Sequence, residues 1–246
     1  MKRSIKQFLL LSYLASILCF GLPLYLGWDF RQMLSVGWPL FILGGLGPAL
    51  AAALLFFLRR EELGGLPGLL DRVRRCDNPR SWLLVPVFLV LHFGLAALLG
   101  VVRLHDSPAQ YLGYAPLAFF LFGSQELGWC LIVQDGLEEV LPLWKATAAT
   151  GLFASLWFLP LLMMEGFLVP PDHFLHFAVY LVGLRFLLSA LRRKGAGVLA
   201  CCVFSGVFFA LAVPLSLYMG GLFFAVPVLD AAICFLYSSR LVKENL

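Results

Sequence analysis

Charge is what this chain has least of. Asp, Glu, Lys and Arg make up 13% of its 246 residues, against 61% for the hydrophobic set. That is about half the charged share of an average soluble domain. So little charge cannot clothe a water-compatible surface, which excludes an ordinary soluble globule. The apolar runs also lack period-two alternation, which excludes a transmembrane β-barrel and leaves helices to satisfy the backbone in lipid. No Cys-x-x-Cys pair occurs among Cys19, Cys76, Cys130, Cys201, Cys202 and Cys234. Neither a disulfide framework nor a thiolate metal site is therefore indicated, and the cysteines read as small packing residues. Internal repeats, low-complexity tracts and soluble linkers are missing as well.

What is present is a series of apolar runs of bilayer length. They cover roughly 8–28, 37–58, 81–104, 111–133, 147–168, 173–191, 196–215 and 217–237. The expected fold is an all-α polytopic transmembrane bundle of about eight spans, one integral membrane domain over 1–246. The first run follows Lys2, Arg3 and Lys6 like a signal peptide. It is too long for an h-region and has no small-x-small cleavage site, so it reads as a retained span.

The basic residues orient the bundle. Lys2, Arg3 and Lys6 precede the first run, and Arg59, Arg60, Arg72, Arg74, Arg75 and Arg80 follow the second. Lys145 follows the fourth, Arg192, Arg193 and Lys194 the sixth, and Arg240 and Lys243 end the chain, whereas the alternate loops hold only Arg31 and Arg103. By the positive-inside rule this predicts a multi-pass protein of the cell membrane with both termini cytoplasmic. Leu66, Leu69, Leu70 and Val73 recur at helical spacing opposite Arg72, Arg74 and Arg75, the pattern of an interfacial amphipathic helix. No basic-aromatic pattern points to nucleic acid, and the bilayer is the one partner that composition implies. Trp28, Trp38, Trp82 and Trp144 fall at span ends, where interfacial belts form.

Two stretches carry more specific information: Gly123-Ser-Gln-Glu-Leu-Gly-Trp-Cys130, and Phe153-Ala-Ser-Leu-Trp-Phe-Leu-Pro160. They resemble the first two motifs of the CPBP family, the CAAX-protease and bacteriocin-processing (Abi) intramembrane metalloproteases. Those motifs are EExxxR, often EELGWRG, and FxxxH, often ending Trp-His-x-Pro. A third family motif, His followed four residues later by Asn, opens after a small-residue helix start. Gly44 through Ala52 is similar to the family's early Gly-Pro-Ala helix, and Leu69 through Trp82 to its basic elbow. Leu191 through Ala200 is similar to the turn into the third-motif helix. The likeness thus runs over a core of about 40–210.

The departures matter as much. Gln125 stands at the first glutamate, Glu126 keeps the second, and Cys130 replaces the arginine. Ala154 and Phe158 stand at the Phe and His of the second motif. Ser205 and Phe209 stand at the His and Asn of the third, and no His or Asn occurs anywhere in 195–214. The family mechanism, as the resemblance implies it, uses glutamate to activate water, histidines to position water or a divalent metal, and asparagine to stabilise the oxyanion. Glutamine cannot serve as a general base near neutral pH, and phenylalanine supplies neither a ligand nor an oxyanion donor. His173, His176 and His105 fall toward the far side and His92 in mid-span, so no relocated histidine site is expected.

The resemblance therefore implies a pseudoprotease that binds or regulates a membrane protein or membrane-associated peptide. No cofactor is expected, and zinc enters only if family activity persists. The alternatives are an active endopeptidase, CAAX-type or bacteriocin-processing, using Glu126 with replacement ligands, or a small transporter. The last lacks the internal repeat such folds carry. Charges inside a membrane are costly and are usually paired. Glu126, Arg185 and Asp230 are expected at one depth, with Arg185 pairing Asp230 or Glu126. Such a pair reads either as a structural tie or as the remnant of a polar binding cavity.

Overall fold

The computed structural model describes residues 3–104, 112–167, 171–212, 215–217 and 224–244. Lys2 and His105 lie outside these residues, as do the side chains of Arg103, Arg240 and Lys243. Apart from one small ribbon the described chain is helical. Five helices are long and apolar enough to cross a membrane: α1 (Arg3–Tyr25), α3 (Trp38–Leu58), α5 (Pro79–Leu98), α6 (Ala115–Glu138) and α8 (Phe174–Arg193). Each has 20 residues or more, about 30 Å at 1.5 Å per residue. Between them lie α2 (Phe30–Ser35), α4 (Gly65–Arg74) and α7 (Leu143–Trp157), and α9 (Gly197–Ala212) and α10 (Ala225–Glu244) close the chain.

Two of the eight expected spans form helices shorter than a full crossing. Helix α7 breaks after Trp157 and resumes only as Leu159–Leu162, because Pro160 has no N–H to give the carbonyl one turn back. Helix α9 has 16 residues, whereas α10 is helical over 20 residues, Ala225–Glu244. The third expected span also ends early, at Leu98 rather than 104. Gly100, at φ 67°, turns the chain into strand β1 (Val102–Leu104), which pairs antiparallel with β2 (Leu215–Leu217) in register Val102↔Leu217.

Successive helices run up and down between two ends. At one end the α4–α5 elbow meets the α8–α9 turn through Asn78 N–H to the Gly195 carbonyl, 2.9 Å. Arg193 of that turn reaches Glu138 at the close of α6, 3.4 Å. This end carries the arginine-rich loop and is called the basic end below. At the other end, Phe30 N–H donates to the Glu165 carbonyl, 2.8 Å.

Helix α8 is the hub, packing against α7, α9 and α10 and buried on nearly all sides from Tyr180 to Leu191. A helix buried all round has no solvated face to give its polar residues, so each must find a partner inside. The outer helices do the opposite. Leu10, Leu14 and Leu18 on α1, Leu50, Leu54 and Phe57 on α3, and Val87 and Val90 on α5 all lie exposed. An apolar exterior of this extent marks a surface meant for lipid or a partner.

Candidate functional site

Glu126 sits on α6 just before a π-helical turn, Trp129–Gln134, a local widening that recurs at functional sites. Gly128 lets three helices meet here. A Cβ on it would fall 2.3 Å from the Phe8 ring of α1 and 2.6 Å from the Pro48 carbonyl of α3. Glu126 is 2% exposed and Arg185 of α8 is 8% exposed. The Arg185 guanidinium donates to Glu126 Oε2. Ser205 Oγ of α9 donates to Oε1 at 2.8 Å, and Cys130 Sγ, one turn along α6, donates to Oε2 at 3.3 Å. Both carboxylate oxygens are thus occupied, and three residues singled out in the sequence converge: Glu126, Cys130 and Ser205.

The remaining motif positions fill space. Gln125 turns away from Glu126 and donates from Nε2 to the Gly45 carbonyl, 3.2 Å, in the turn of α3 that Pro48 interrupts. Ala154 is buried on α7 one turn before Phe158. Phe158 and Phe209 gather around Phe122. The Phe122–Phe209 centroids are 4.3 Å apart and the Phe122–Phe158 centroids 5.7 Å, both stacked. Phe177 adds an edge contact to Phe158 at 5.3 Å. Trp157 anchors this wall to α1 by donating to the Ser12 carbonyl, 3.0 Å, while Ser16 Oγ donates to the Trp157 carbonyl, 2.7 Å.

Asp230 corrects the expected single charged layer. It does not pair with Arg185, and its partner is His92 of α5, whose Nδ1 lies 2.6 Å from Asp230 Oδ2. The other ring nitrogen meets the Tyr180 hydroxyl of α8. With Asp230 ionised, Nδ1–H donates to the carboxylate and Nε2 accepts from Tyr180. Both His92 and Asp230 are 0% exposed, and among the described residues Asp230 Oδ1 is buried without a hydrogen-bond partner.

Two facts explain the displacement. First, α10 begins at Ala225, not at 217, which shifts Asp230 away from the basic end. Tyr180 and Arg185 are five residues apart on α8, so the two polar layers are separated by about 7.5 Å. Second, Gly183 and Arg185 are about 200° apart around α8. Gly183 abuts Pro227 of α10, with a Cβ there 2.4 Å from the proline ring, so Arg185 points away from α10. It points toward Gly151 of α7 and toward Glu126.

A third polar level lies nearer the basic end. Gln134 Nε2 donates to Glu138 Oε1 at 2.7 Å and to Thr147 Oγ1 at 3.0 Å, and Thr147 donates to Ser189 Oγ at 3.3 Å. Arg192 pairs with Asp135. Tyr180, Arg185, Ser189 and Arg192 thus set three polar levels along the hub helix. The roles of His92, Tyr180, Gln134 and Ser189 were missed from sequence. His92 alone carried a usable signal, being an ionisable residue in mid-span.

Chemically, both oxygens of the Glu126 carboxylate are taken up by guanidinium, hydroxyl and thiol donors, which leaves neither open to an attacking water. A divalent metal needs several imidazole, carboxylate or thiolate donors converging on one point. No group of three His, Cys, Asp or Glu side chains so placed occurs among the described residues, and at Glu126 a guanidinium takes the place a cation would need. The donors around Glu126 therefore do not make a ligand set for a divalent metal among the described residues. No family model matches this chain, and no curated protein matches it.

Proposed function

We propose that this chain is a membrane-embedded, catalytically degenerate relative of the CPBP intramembrane proteases, retained as a scaffold that binds or regulates a membrane protein or membrane-associated peptide. One observation carries the reading. Glu126, the one carboxylate left at a motif position, is held by Arg185, Ser205 and Cys130 beside the Phe122, Phe158 and Phe209 stack. The pair that fixes α6 to α8 stands where a reactive carboxylate would need access to water. In this reading the chain crosses the membrane eight times, the shorter helices included, with the basic end and both termini in the cytoplasm.

Purified protein incubated with membrane-associated peptides is expected to show no cleavage that depends on Glu126. Glu126→Ala is expected to lower thermal stability instead. Glu126-dependent cleavage, or stoichiometric tightly bound zinc, overturns the degenerate reading and favours an active endopeptidase. Topology is checked separately by reacting single-cysteine variants in intact cells with a membrane-impermeant thiol reagent. Arg31→Cys is expected to react and Arg74→Cys to remain protected; the reverse pattern inverts the orientation.

A further inference from the structure

A cleft at the basic end has no part in the Glu126 cluster. Its volume is about 400 Å³, and Arg72, Arg75, Arg192, Asp77 and Asp135 line it over an apolar floor that includes Leu131 and Val198. Four helices build it: α4 with its elbow, α6, α8 and the start of α9. The elbow is fixed, because Asn78 N–H bonds the Gly195 carbonyl at 2.9 Å and Gly197 admits the Arg75 carbonyl so closely that a Cβ would lie 2.1 Å from it.

The charges in the cleft do not cancel. Arg192 is matched by Asp135, and Arg75 Nε by Asp77 Oδ1 at 3.0 Å. Arg72 has no carboxylate within ion-pairing distance among the described residues. Its guanidinium lies 5.4 Å from the centre of the Phe56 ring, which orients it without neutralising it. Three guanidiniums against two carboxylates leave one positive charge in a concave, partly apolar site.

From this we infer that the cleft holds the phosphodiester headgroup of an anionic phospholipid. A single negative phosphodiester matches the single uncompensated charge, and guanidinium is suited to phosphate oxygens. The surroundings favour a lipid over soluble phosphate. Helix α4, which carries Arg72, buries Leu69 against the bundle while Leu66 and Leu70 lie exposed on another face of the same helix, where acyl chains would cover them. The inference rests on the membrane reading above, and a chain released from membranes by carbonate would sink that reading. An embedded chain indifferent to headgroup sinks only this one.

The test is native mass spectrometry of the full chain released from nanodiscs of phosphatidylcholine with and without phosphatidylglycerol. Wild-type protein is expected to retain phosphatidylglycerol in preference to phosphatidylcholine. A guanidinium in direct contact with a headgroup phosphate is worth a factor of about five or more in affinity, and one outside the contact is worth less because salt screens it. Arg72→Gln with Arg75→Gln should therefore lower retention about 25-fold. Arg74→Gln with Arg80→Gln removes the same charge from the same loop outside the cleft, and should cost about fivefold or less. No headgroup preference in the wild type, or equal losses in the two double variants, overturns the site. Thermal stabilisation in detergent by inorganic phosphate alone, with no retained phosphatidylglycerol, assigns a soluble ligand and overturns the lipid.

Discussion

Arg185 and Glu126, 59 residues apart in sequence, form a buried ion pair that ties the hub helix α8 to the π-turn region of α6. Such a pair gains little over an apolar contact of the same shape, but losing one partner strands a charge. Arg185→Ala is therefore expected to cost about 3–5 kcal/mol. Glu126→Gln with Arg185→Met should recover a large part of that loss, since it removes both charges and keeps the volume. Thermal unfolding followed by size-exclusion chromatography of detergent-solubilised protein checks both. Equal loss in the single and the double variant would show that the pair does not act as a unit.

The second buried layer answers to a smaller change. Tyr180→Phe removes one hydroxyl and leaves His92 Nε2 buried without its hydrogen-bond partner. An unsatisfied buried polar group costs about 1–3 kcal/mol. The expected result is a loss in that range with no change in overall helix content, measured by thermal melts and circular dichroism. A neutral Tyr180→Phe would mean that the hydroxyl is not what satisfies the imidazole.

How far these layers could be read from the sequence follows from what apolar runs encode. The runs locate helices well where a polar break stands at both ends, as at 37–58 against Trp38–Leu58 and 173–191 against Phe174–Arg193. The cost of burying Glu126 and Arg185 made a pairing predictable. The runs do not encode where a helix starts inside an apolar stretch, and hydropathy carries no azimuth. The chain stays apolar from 217, yet α10 begins at Ala225, and this moved Asp230 one layer away from Arg185. Which face of α8 meets α10 was decided by Gly183 against Pro227, a steric fit that composition cannot reveal. The convergence of Phe122, Phe158 and Phe209 was equally hidden, since a phenylalanine in a span reads the same facing lipid or facing a neighbour.

The close approach at Gly128 gives a third expectation. Gly128→Ala would place a methyl group against the Phe8 ring and against the Pro48 carbonyl, 2.6 Å away. The ring could yield, but the backbone oxygen belongs to a helix packed on both sides. Overpacking of this kind costs about 1–3 kcal/mol. A companion Phe8→Leu should relieve only the part owed to the ring. If Gly128→Ala melts like wild type, α1, α3 and α6 are not in contact at this point.

The last prediction concerns restoring the motif. Phe158 is 3% exposed and stacks with Phe122, with Phe177 and Trp157 at its edges. Phe158→His places a polar ring in that aromatic wall, where no hydrogen-bond partner stands close among the residues that touch it. The expected outcome is destabilisation of about 1–3 kcal/mol and no gain of peptide cleavage. Adding Phe209→Asn and Gln125→Glu would bring back family side chains, but the Glu126 carboxylate would still be held by Arg185, Ser205 and Cys130. Cleavage is therefore expected to stay absent in the triple variant, assayed on membrane-associated peptides with and without added zinc. Zinc-dependent cleavage by that variant would show that the backbone can frame a working site once those side chains are supplied. Such a result would count against Arg185 as the group that closes the site, because the guanidinium is left in place in all three substitutions.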